Sequence, residues 1–523
     1  MARCATLAQH VRGQMSDTEV LIAGAGPAGL VLACDLVRRS VAVRIVEANP
    51  VPPDHRSGSR GKGIQPRTLE VYDDLGIIDA VHESGGPYYP ALAWDGPTPL
   101  GPAKFHRIER RDPTPDVPYP SMWMLLQPRA LEILRGRLHD LGGRVEFGTS
   151  LTAFTQDADG VTAALQLPDG RGETVRARYL AGCDGARGVV RAGLGVEFAS
   201  ETIDPHPMIT ADVVVEGLER THWHMWDNAK GGALWLGPLV RTNAFQLYAK
   251  FEDAEPDLSF DGLRALVRNR TQRPELNLTE VLYASHFGSR AGLAKSFRAG
   301  RAFLVGDAAH VHPPAGGQGM NTAVQDAYNL GWKLGHVLRH GAPAALLDSY
   351  EAERLPVAAH LLEFVVQMHK DWLGKAKDKE EPRKGEHMQL GLNYRGGPLS
   401  LDERAAVAEG VTRAGDRAPD ARLSDAAGAA VRLFDLFRGP HFTLLALDGA
   451  VVPAFGARYG DALRVQRIVR PGAEAPGALI DGEGQVHRTY GDGLILVRPD
   501  GYVGYTGPRG GAGVSSYLRR FFG

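Results

Sequence analysis

The stretch "EVLIAGAGPAGLVLACDLVRRSVAVRIVEANP", Glu19 to Pro50, decides how the rest of the chain is read. Val20 to Ala23 form a short apolar run of the kind buried on both faces of a parallel sheet. Gly24, Ala25, Gly26, Pro27, Ala28 and Gly29 fit the spacing G-x-G-x-x-G, and Leu30 to Arg39 carries helical spacing. A second apolar strand, Val41 to Val46, ends at Glu47, 21 residues after Gly26. The glycines have separate duties: Gly24 permits a tight turn, Gly26 lets a pyrophosphate approach the backbone, and Gly29 lets the helix pack on the strand. The helix N-terminus then holds the negative charge. An acid about 20 residues further on suits a ribose hydroxyl. Glycines alone are a weak signal, but strand, turn, helix, strand and acid in that order point to a dinucleotide site.

Working outward, "MARCATLAQHVRGQ" has no apolar stretch of the signal-peptide kind. Residues 1–17 are expected to be a disordered leader, with the structured chain starting near Met15. Beyond the first unit, "RSGSRGKGIQPRTLEVYDDLGIIDAV" reads as a glycine-rich basic loop followed by a helix with Leu69, Tyr72, Leu75 and Ile78 as core. Of Arg56, Arg60 and Arg67, Arg60 among its glycines is the functional candidate. Residues 86–120, rich in Pro, Gly and Tyr, predict an irregular excursion. Residues 151–180 alternate polar and apolar around a hairpin turn at Pro168–Gly172. Residues 205–290 read as antiparallel β with Trp223, Trp226, Trp235, Tyr248, Tyr283 and Phe287 on it. Residues 321–370 are helical, 371–390 a charged linker, and a further domain starts near 395.

A second decisive stretch is "RAFLVGDAAHVHPPAGGQGMNTAVQDAYNLGWKL", Arg301 to Leu334. An apolar strand ends in Gly306-Asp307, and a bare loop leads to a helix from about Asn321. An acid there can accept hydrogen bonds from a polyol. The loop Pro314–Gly319 offers backbone N–H groups, and the helix end adds positive potential for an anionic ring. With "CDGARGVVR" between them, the motifs fit one extended ligand, and FAD has the required parts. His310 and His312 stand at i, i+2 without a carboxylate cluster, so no metal is expected.

The 523 residues allow roughly three domains at about 150 residues each. A net charge of −2 argues against a nucleic-acid partner. No apolar run reaches the length of a membrane span. Three cysteines, Cys4, Cys34 and Cys183, are too few and too scattered for a disulfide scaffold, so a cytoplasmic protein is expected.

The motifs "GAGPAG", "SRGKGIQPRTLEVYDDLGI", "CDGARGVVR" and "VGDAAHVHPPAGGQGMNTAVQDAYNLGWKL" resemble those of the FAD-dependent aromatic hydroxylases (class A flavoprotein monooxygenases). The closer similarity is to the phenol hydroxylase and aromatic-polyketide hydroxylase branch, over about residues 18–370. "YGDGLILVRPDGYVGY" resembles the thioredoxin-like tail of that branch. The resemblance implies an α/β protein: a Rossmann-like FAD-binding domain (18–190 with 286–390), an antiparallel β-sheet substrate domain (191–285 with the 86–120 excursion) and a C-terminal thioredoxin-like domain (395–523). It implies FAD contacts from Gly24, Gly26, Ala28, Gly29, Glu47, Arg60, Gln127, Asp184, Gly306, Asp307, Pro314, Gly317, Gly319, Met320 and Asn321. Gly188 stands where many members have serine, which weakens a coenzyme contact there.

The implied activity is hydroxylation of a phenolic or polycyclic aromatic, polyketide-like substrate with NAD(P)H and O2 through a C4a-hydroperoxyflavin. Arg60, His224 and Tyr248 are the catalytic candidates, with His286 and Arg290 as further groups able to act on a phenol, and Trp223, Trp226 and Trp235 as walls for a flat substrate. Baeyer–Villiger oxidation of a polyketide and a non-turnover FAD-retaining binding protein are the alternatives. Small-molecule substrate and O2 are the expected partners, with a homodimer as an open assembly.

Overall fold

The computed structural model of the protein describes residues 16–59, 61–103, 110–252, 255–313, 317–372, 388–453, 455, 458–473 and 475–522. Arg60, Pro314 and most of the leader and of the charged linker therefore lie outside the described residues.

The first unit is a mixed eight-stranded sheet with a parallel centre. Strand β1 (Ser16–Ala23) is flanked by β2 (Val43–Glu47) and β5 (Gly172–Gly182), with β4 (Val145–Phe147) beyond β2 and β11 (Ala302–Leu304) beyond β5. All four pairings are parallel. Val20, Leu21 and Ile22 are fully buried, as a sheet covered on both faces requires. Helix α1 (Pro27–Val37) opens on a proline, whose fixed φ suits the first helical position. It packs against α3 (Gly319–Arg339). Strand β1 starts at Ser16, so ordered structure reaches back into the expected 1–17 leader. Helix α3 begins at Gly319, two residues before the expected Asn321.

The second unit is an eight-stranded sheet. Its long strands β6 (Phe198–Glu216) and β10 (Asn277–Ala294) pair antiparallel over almost their whole lengths. Across β6 follow β9 (Phe245–Lys250), β8 (Leu234–Pro238), β7 (Trp223–Trp226) and β3 (Ala91–Asp95). The expected division at 285/286 falls inside β10, which is one continuous strand. The 86–120 excursion is not wholly irregular: β3 pairs parallel with β7, and Thr98–Pro102 closes the sheet edge. Prolines disguised that strand, yet they are tolerated at an edge. A helix, α2 (Phe260–Thr271), also interrupts the stretch read as β. Ser259 Oγ caps it by accepting from Gly262 N, and Leu263 and Val267 are buried.

The C-terminal unit is a third mixed sheet containing β12 (Phe442–Leu447), β13 (Leu463–Val469), β14 (Gly493–Val497) and β15 (Val503–Gly507). It is tied to α3 and α4 (Asp348–Trp372) by a buried ionic network. Glu353 accepts from Arg498 Nη1 at 2.6 Å, Lys333 Nζ at 2.7 Å and Asn329 Nδ2 at 2.8 Å. Asp500 accepts from Trp332 Nε1 at 3.0 Å. Removing one partner strands the others without water, so Glu353→Ala is expected to lower stability by about 3–5 kcal/mol. Urea unfolding measures this, and a loss below about 1 kcal/mol would show that the network adapts.

Candidate functional site

Four parallel strands end level with one another. Ala23 lies opposite both Gly182 and Val46, and Gly182 lies opposite Leu304. Gly24–Gly29, Glu47, Cys183–Gly185 and Val305–Asp307 thus leave the sheet at one carboxyl edge, the place where open parallel sheets take ligands. Backbone bonds seal that edge: Gly24 N to Val46 O at 2.8 Å, Cys183 N to Ala23 O at 2.8 Å and Val305 N to Gly182 O at 3.0 Å.

The glycines separate into those the protein needs and one it does not. Gly24 has φ +99°, and a Cβ there would lie 2.4 Å from Cys183 O. A Cβ on Gly29 would lie 2.0 Å from Gly24 O. A Cβ on Gly26 would meet nothing within 4 Å. The backbone at Gly26 is therefore bare toward open space, as a pyrophosphate cradle requires. Glu47 Oε2 accepts from Ala25 N at 2.9 Å, and Oε1 accepts from Asn49 Nδ2 at 2.6 Å, which fixes the acid beside the turn.

Asp184 accepts from Val190 N at 3.0 Å through Oδ2, while its buried Oδ1 has no partner among the described residues. Burial raises its carboxyl above the ordinary range. A Cβ on Gly188 would sit 2.1 Å from that Oδ1, so the glycine at the serine position makes room for Asp184. Asp307 is crowded by protein, which raises its carboxyl by desolvation, yet its side chain still opens to solvent. A residue on the floor of a cleft has both properties. Gly306, at φ +64°, would place a Cβ 2.7 Å from Ala323 Cβ, so its bareness lets the first turns of α3 close on the Gly-Asp turn.

Asp326, fully buried on α3, holds this corner together. Its carboxylate accepts from His310 Nε2 at 2.6 Å, Arg354 Nε at 2.7 Å and Gly306 N at 3.3 Å. Burial opposes its charge, but Arg354 and His310 together outweigh burial and hold the carboxyl below the usual range. His310 Nδ1 and His312 Nε2 share a hydrogen bond at 3.0 Å. The two rings lie 4.9 Å apart, centroid to centroid. Burial drives the His312 imidazole down to about 3, so it is neutral.

Asn321 is fully buried, and its amide is spent on the protein. It accepts from Gln65 N and donates to Gly63 O and Gly317 O, each at 2.8 Å. It clamps the 317–320 loop to the basic loop and leaves Gly317, Gly319 and Met320 as the exposed or half-buried part of that turn. Gln127 Oε1 accepts from Gly61 N at 3.2 Å and holds the basic loop from the other side.

Strand alternation sorts the candidates on the second sheet. One face, carrying Ile209, Leu236, Phe245, Leu247 and Trp226, is core against α2. The other carries Asp212, Gln246, Tyr248, Trp235 and Trp223, which lies over Gly237. Trp223 and Tyr248 stack at 6.3 Å and 15°. His224 is on the core face with Trp226: it is fully buried, accepts from Trp94 Nε1 at 3.1 Å and bonds Glu219 O through Nε2 at 2.9 Å. Neither ring nitrogen is free to take a proton. Trp226 likewise donates to Gly96 O at 2.9 Å inside the core. His286, opposite Ile209, and Arg290 are exposed.

Sequence reasoning passed over Lys62 and Asp212. Lys62 is buried with Nζ 4.5 Å from the Trp223 ring centroid and 5.2 Å from that of Tyr248. The available signals were a lysine between glycines in the loop that already drew notice to Arg60, and an acid, Asp212, within the apolar run of "MITADVVVEG".

A family sequence model described as "FAD binding domain" matches residues 17–365, and one described as "Aromatic-ring hydroxylase, C-terminal" matches residues 411–523. A flavin-dependent monooxygenase of Mycobacteroides abscessus is 40% identical over 507 residues, covering 96% of this chain and 99% of the relative. The 6-methylpretetramide 4-monooxygenase of Streptomyces rimosus is 34% identical, covering 94% of this chain and 91% of its own. The crystal structure of aklavinone-11 hydroxylase in a ternary complex with FAD and aklavinone superposes with a TM-score of 0.80 at 29% identity, over 97% of this chain and 99% of that one.

The two glycines of the turn generate a paired prediction. Gly26→Ala is expected to leave the melting temperature of the flavin-free protein unchanged but to weaken FAD binding by about tenfold, or 1.4 kcal/mol. Gly24→Ala is expected to destabilise the flavin-free protein itself, by more than about 1 kcal/mol, because its φ and its contact with Cys183 are both unfavourable. Thermal melts and flavin titration separate the two. Equal effects of both substitutions on the flavin-free melt would contradict the assignment of Gly26 to ligand approach.

Proposed function

The chain belongs to the FAD-dependent aromatic-ring hydroxylases, and on that premise we propose that it places one oxygen atom of O2 on a phenolic or polycyclic aromatic, polyketide-like substrate, with NAD(P)H as reductant. The observation that carries this reading is the bare Gly26 cradle at the carboxyl edge of the parallel sheet, in a chain whose second sheet presents an aromatic face to the basic loop. Baeyer–Villiger oxidation and non-turnover binding are not favoured beside relatives named as a 4-monooxygenase and an 11-hydroxylase.

Gly24, Gly26, Ala28, Gly29 and Glu47 are assigned to the ADP half of FAD. Asp184 and its unpartnered Oδ1 border the same groove, Gly306 and Asp307 take the ribityl chain, and Gly317, Gly319 and Met320 at the α3 N-terminus lie along the ring. Gln127 and Asn321 position those loops. Arg60 and Pro314 keep the roles their motif implies. Bound FAD supplies the transfer of electrons from NAD(P)H to O2 and the activated oxygen atom.

The chain's own part is to orient the substrate and exclude water. Trp223 and Tyr248 wall a flat ring, and Trp235 extends that wall. Burial raises the Tyr248 phenol above its usual range, so it stays protonated and serves as wall and hydrogen-bond donor, not as base. The substrate sheet is assigned to substrate binding as one unit, with β10 running on into the FAD unit.

The C-terminal sheet supports a thioredoxin-like reading: β15, β14, β12 and β13 lie in that spatial order, with β14 antiparallel to its neighbours β12 and β15 and β12 parallel to β13. No cysteine follows Cys183, so its role is packing, not dithiol chemistry. The proposed enzyme is a cytoplasmic homodimer; among the described residues no helix is long and apolar enough to cross a membrane.

The test uses the yellow purified protein with NADH or NADPH, isotopically labelled O2 and a panel of phenols and polycyclic quinones. A substrate is expected to accelerate coenzyme loss and to give a ring product carrying one labelled oxygen atom. An opened or expanded ring would overturn hydroxylation. Absence of stimulation by every compound, with FAD bound, would overturn turnover itself.

A further inference from the structure

The surroundings of Lys62 are unusual for a lysine. The backbone that carries it is pinned on all sides. Ser59 N donates to Asp212 Oδ2 at 2.9 Å, Gln246 Nε2 donates to Ser59 O at 2.7 Å, Gly61 N donates to Gln127, and Leu125 N donates to Lys62 O at 2.8 Å. The residue is 8% exposed. Its Nζ lies over the Trp223 and Tyr248 rings and has no hydrogen-bond partner or ion pair among the described residues. Asp212 on β6 is the acid whose charge acts on it, and Asp212 Oδ1 is also buried and unpartnered. A buried amine and a buried carboxylate oxygen left open are costly unless something else completes them. The missing group must sit on an aromatic wall and exchange hydrogen bonds with an amine. A phenolic hydroxyl on a flat ring does both.

We propose that Lys62 is the base that removes the phenolic proton of the substrate, with Asp212 as its positioning residue. This rests on the hydroxylase reading above. The substrate O–H bond breaks, an N–H bond forms on Nζ, and no electron changes hands. The resulting ammonium is stabilised by the phenolate it has formed and by the Asp212 charge. The phenolate is richer in electrons at its ring carbons, which favours attack on an electrophilic oxygen atom. Tyr248 on β9 and Trp223 on β7 are the other groups facing Nζ, and neither takes up a proton in the working range. Arg60 of the same loop lies outside the described residues.

Burial pushes the Lys62 ammonium far below its ordinary value, and the Asp212 charge only partly opposes this. Neutral amine is therefore available at a pH where an exposed lysine is fully charged. The expected kcat rises with pH along an acid limb below the ordinary lysine range.

The test uses FAD-loaded wild type, Lys62→Met and Lys62→Arg, with 4-nitrophenol as optical probe and the hydroxylated substrate for kinetics. Below the free probe's own ionisation pH, wild type is expected to bind it as phenolate and Lys62→Met as neutral phenol, with equal FAD content. Both substitutions are expected to lower kcat by about a hundredfold or more and to abolish the acid limb, with Lys62→Met regaining rate as pH rises toward the phenol's own ionisation. Wild-type rate and pH profile in Lys62→Arg would reduce Lys62 to an anion-binding cation and overturn the proposal. So would an unchanged probe spectrum in Lys62→Met, or a wild type that hydroxylates phenols but does not ionise the probe. Failure of the hydroxylase reading looks different: wild type itself would then turn over no coenzyme with any phenol.

Discussion

The carboxylate of Asp326 is the constraint on which the cleft depends. It is fully buried on α3, and burial of a charge is affordable only because Arg354, His310 and the Gly306 N–H converge on it. Through Gly306 it fixes the Gly-Asp turn, through His310 it fixes the strand that follows, and through Arg354 it reaches α4. Arg354 also donates to Tyr394 Oη at 3.0 Å, so the same charge links the FAD unit to residues past the charged linker. The geometry of the Gly-Asp turn is thus set by a group that touches no ligand.

A second constraint is the meeting of two sheets through one loop. The basic loop hangs between Gln127 and Asn321 of the first unit and Asp212 and Gln246 of the second. Its backbone groups are bonded by both units, so the placement of the first unit against the Trp223–Tyr248 face is set by hydrogen bonds and not left to a flexible hinge. Lys62 and the aromatic pair Trp223 and Tyr248 face each other because of that loop.

The C-terminal unit braces the FAD unit. It contributes the buried cluster of Arg498 and Asp500 against Glu353, Lys333 and Trp332, and the pairing of Arg417 with Glu70 on the helix that follows the basic loop. Both contacts fix α3, α4 and the helix after the basic loop to the C-terminal unit. A structural tail without cysteine fits that duty.

Much of the first unit was legible from local pattern alone. The glycine spacing, the apolar strands and the acid at the end of β2 are short-range features, and short-range features determine a βαβ turn whatever surrounds it. The Gly-Asp turn and the helix after it were readable for the same reason. What the sequence could not separate was which of several aromatic and titratable residues faces the cleft. Trp223 and Trp226, or His224 and Tyr248, look alike in composition, and only pairing register and the packing of α2 on one face of the sheet divide them. A one-residue difference in register exchanges the faces of a strand. Lys62 and Asp212 come together across 150 residues of chain. Sequence alone determined the dinucleotide turn and the family pattern, because those depend on neighbours along the chain. Tertiary structure decided the base candidate, the silent histidine and the buried acid that holds the cleft, because those depend on neighbours in space.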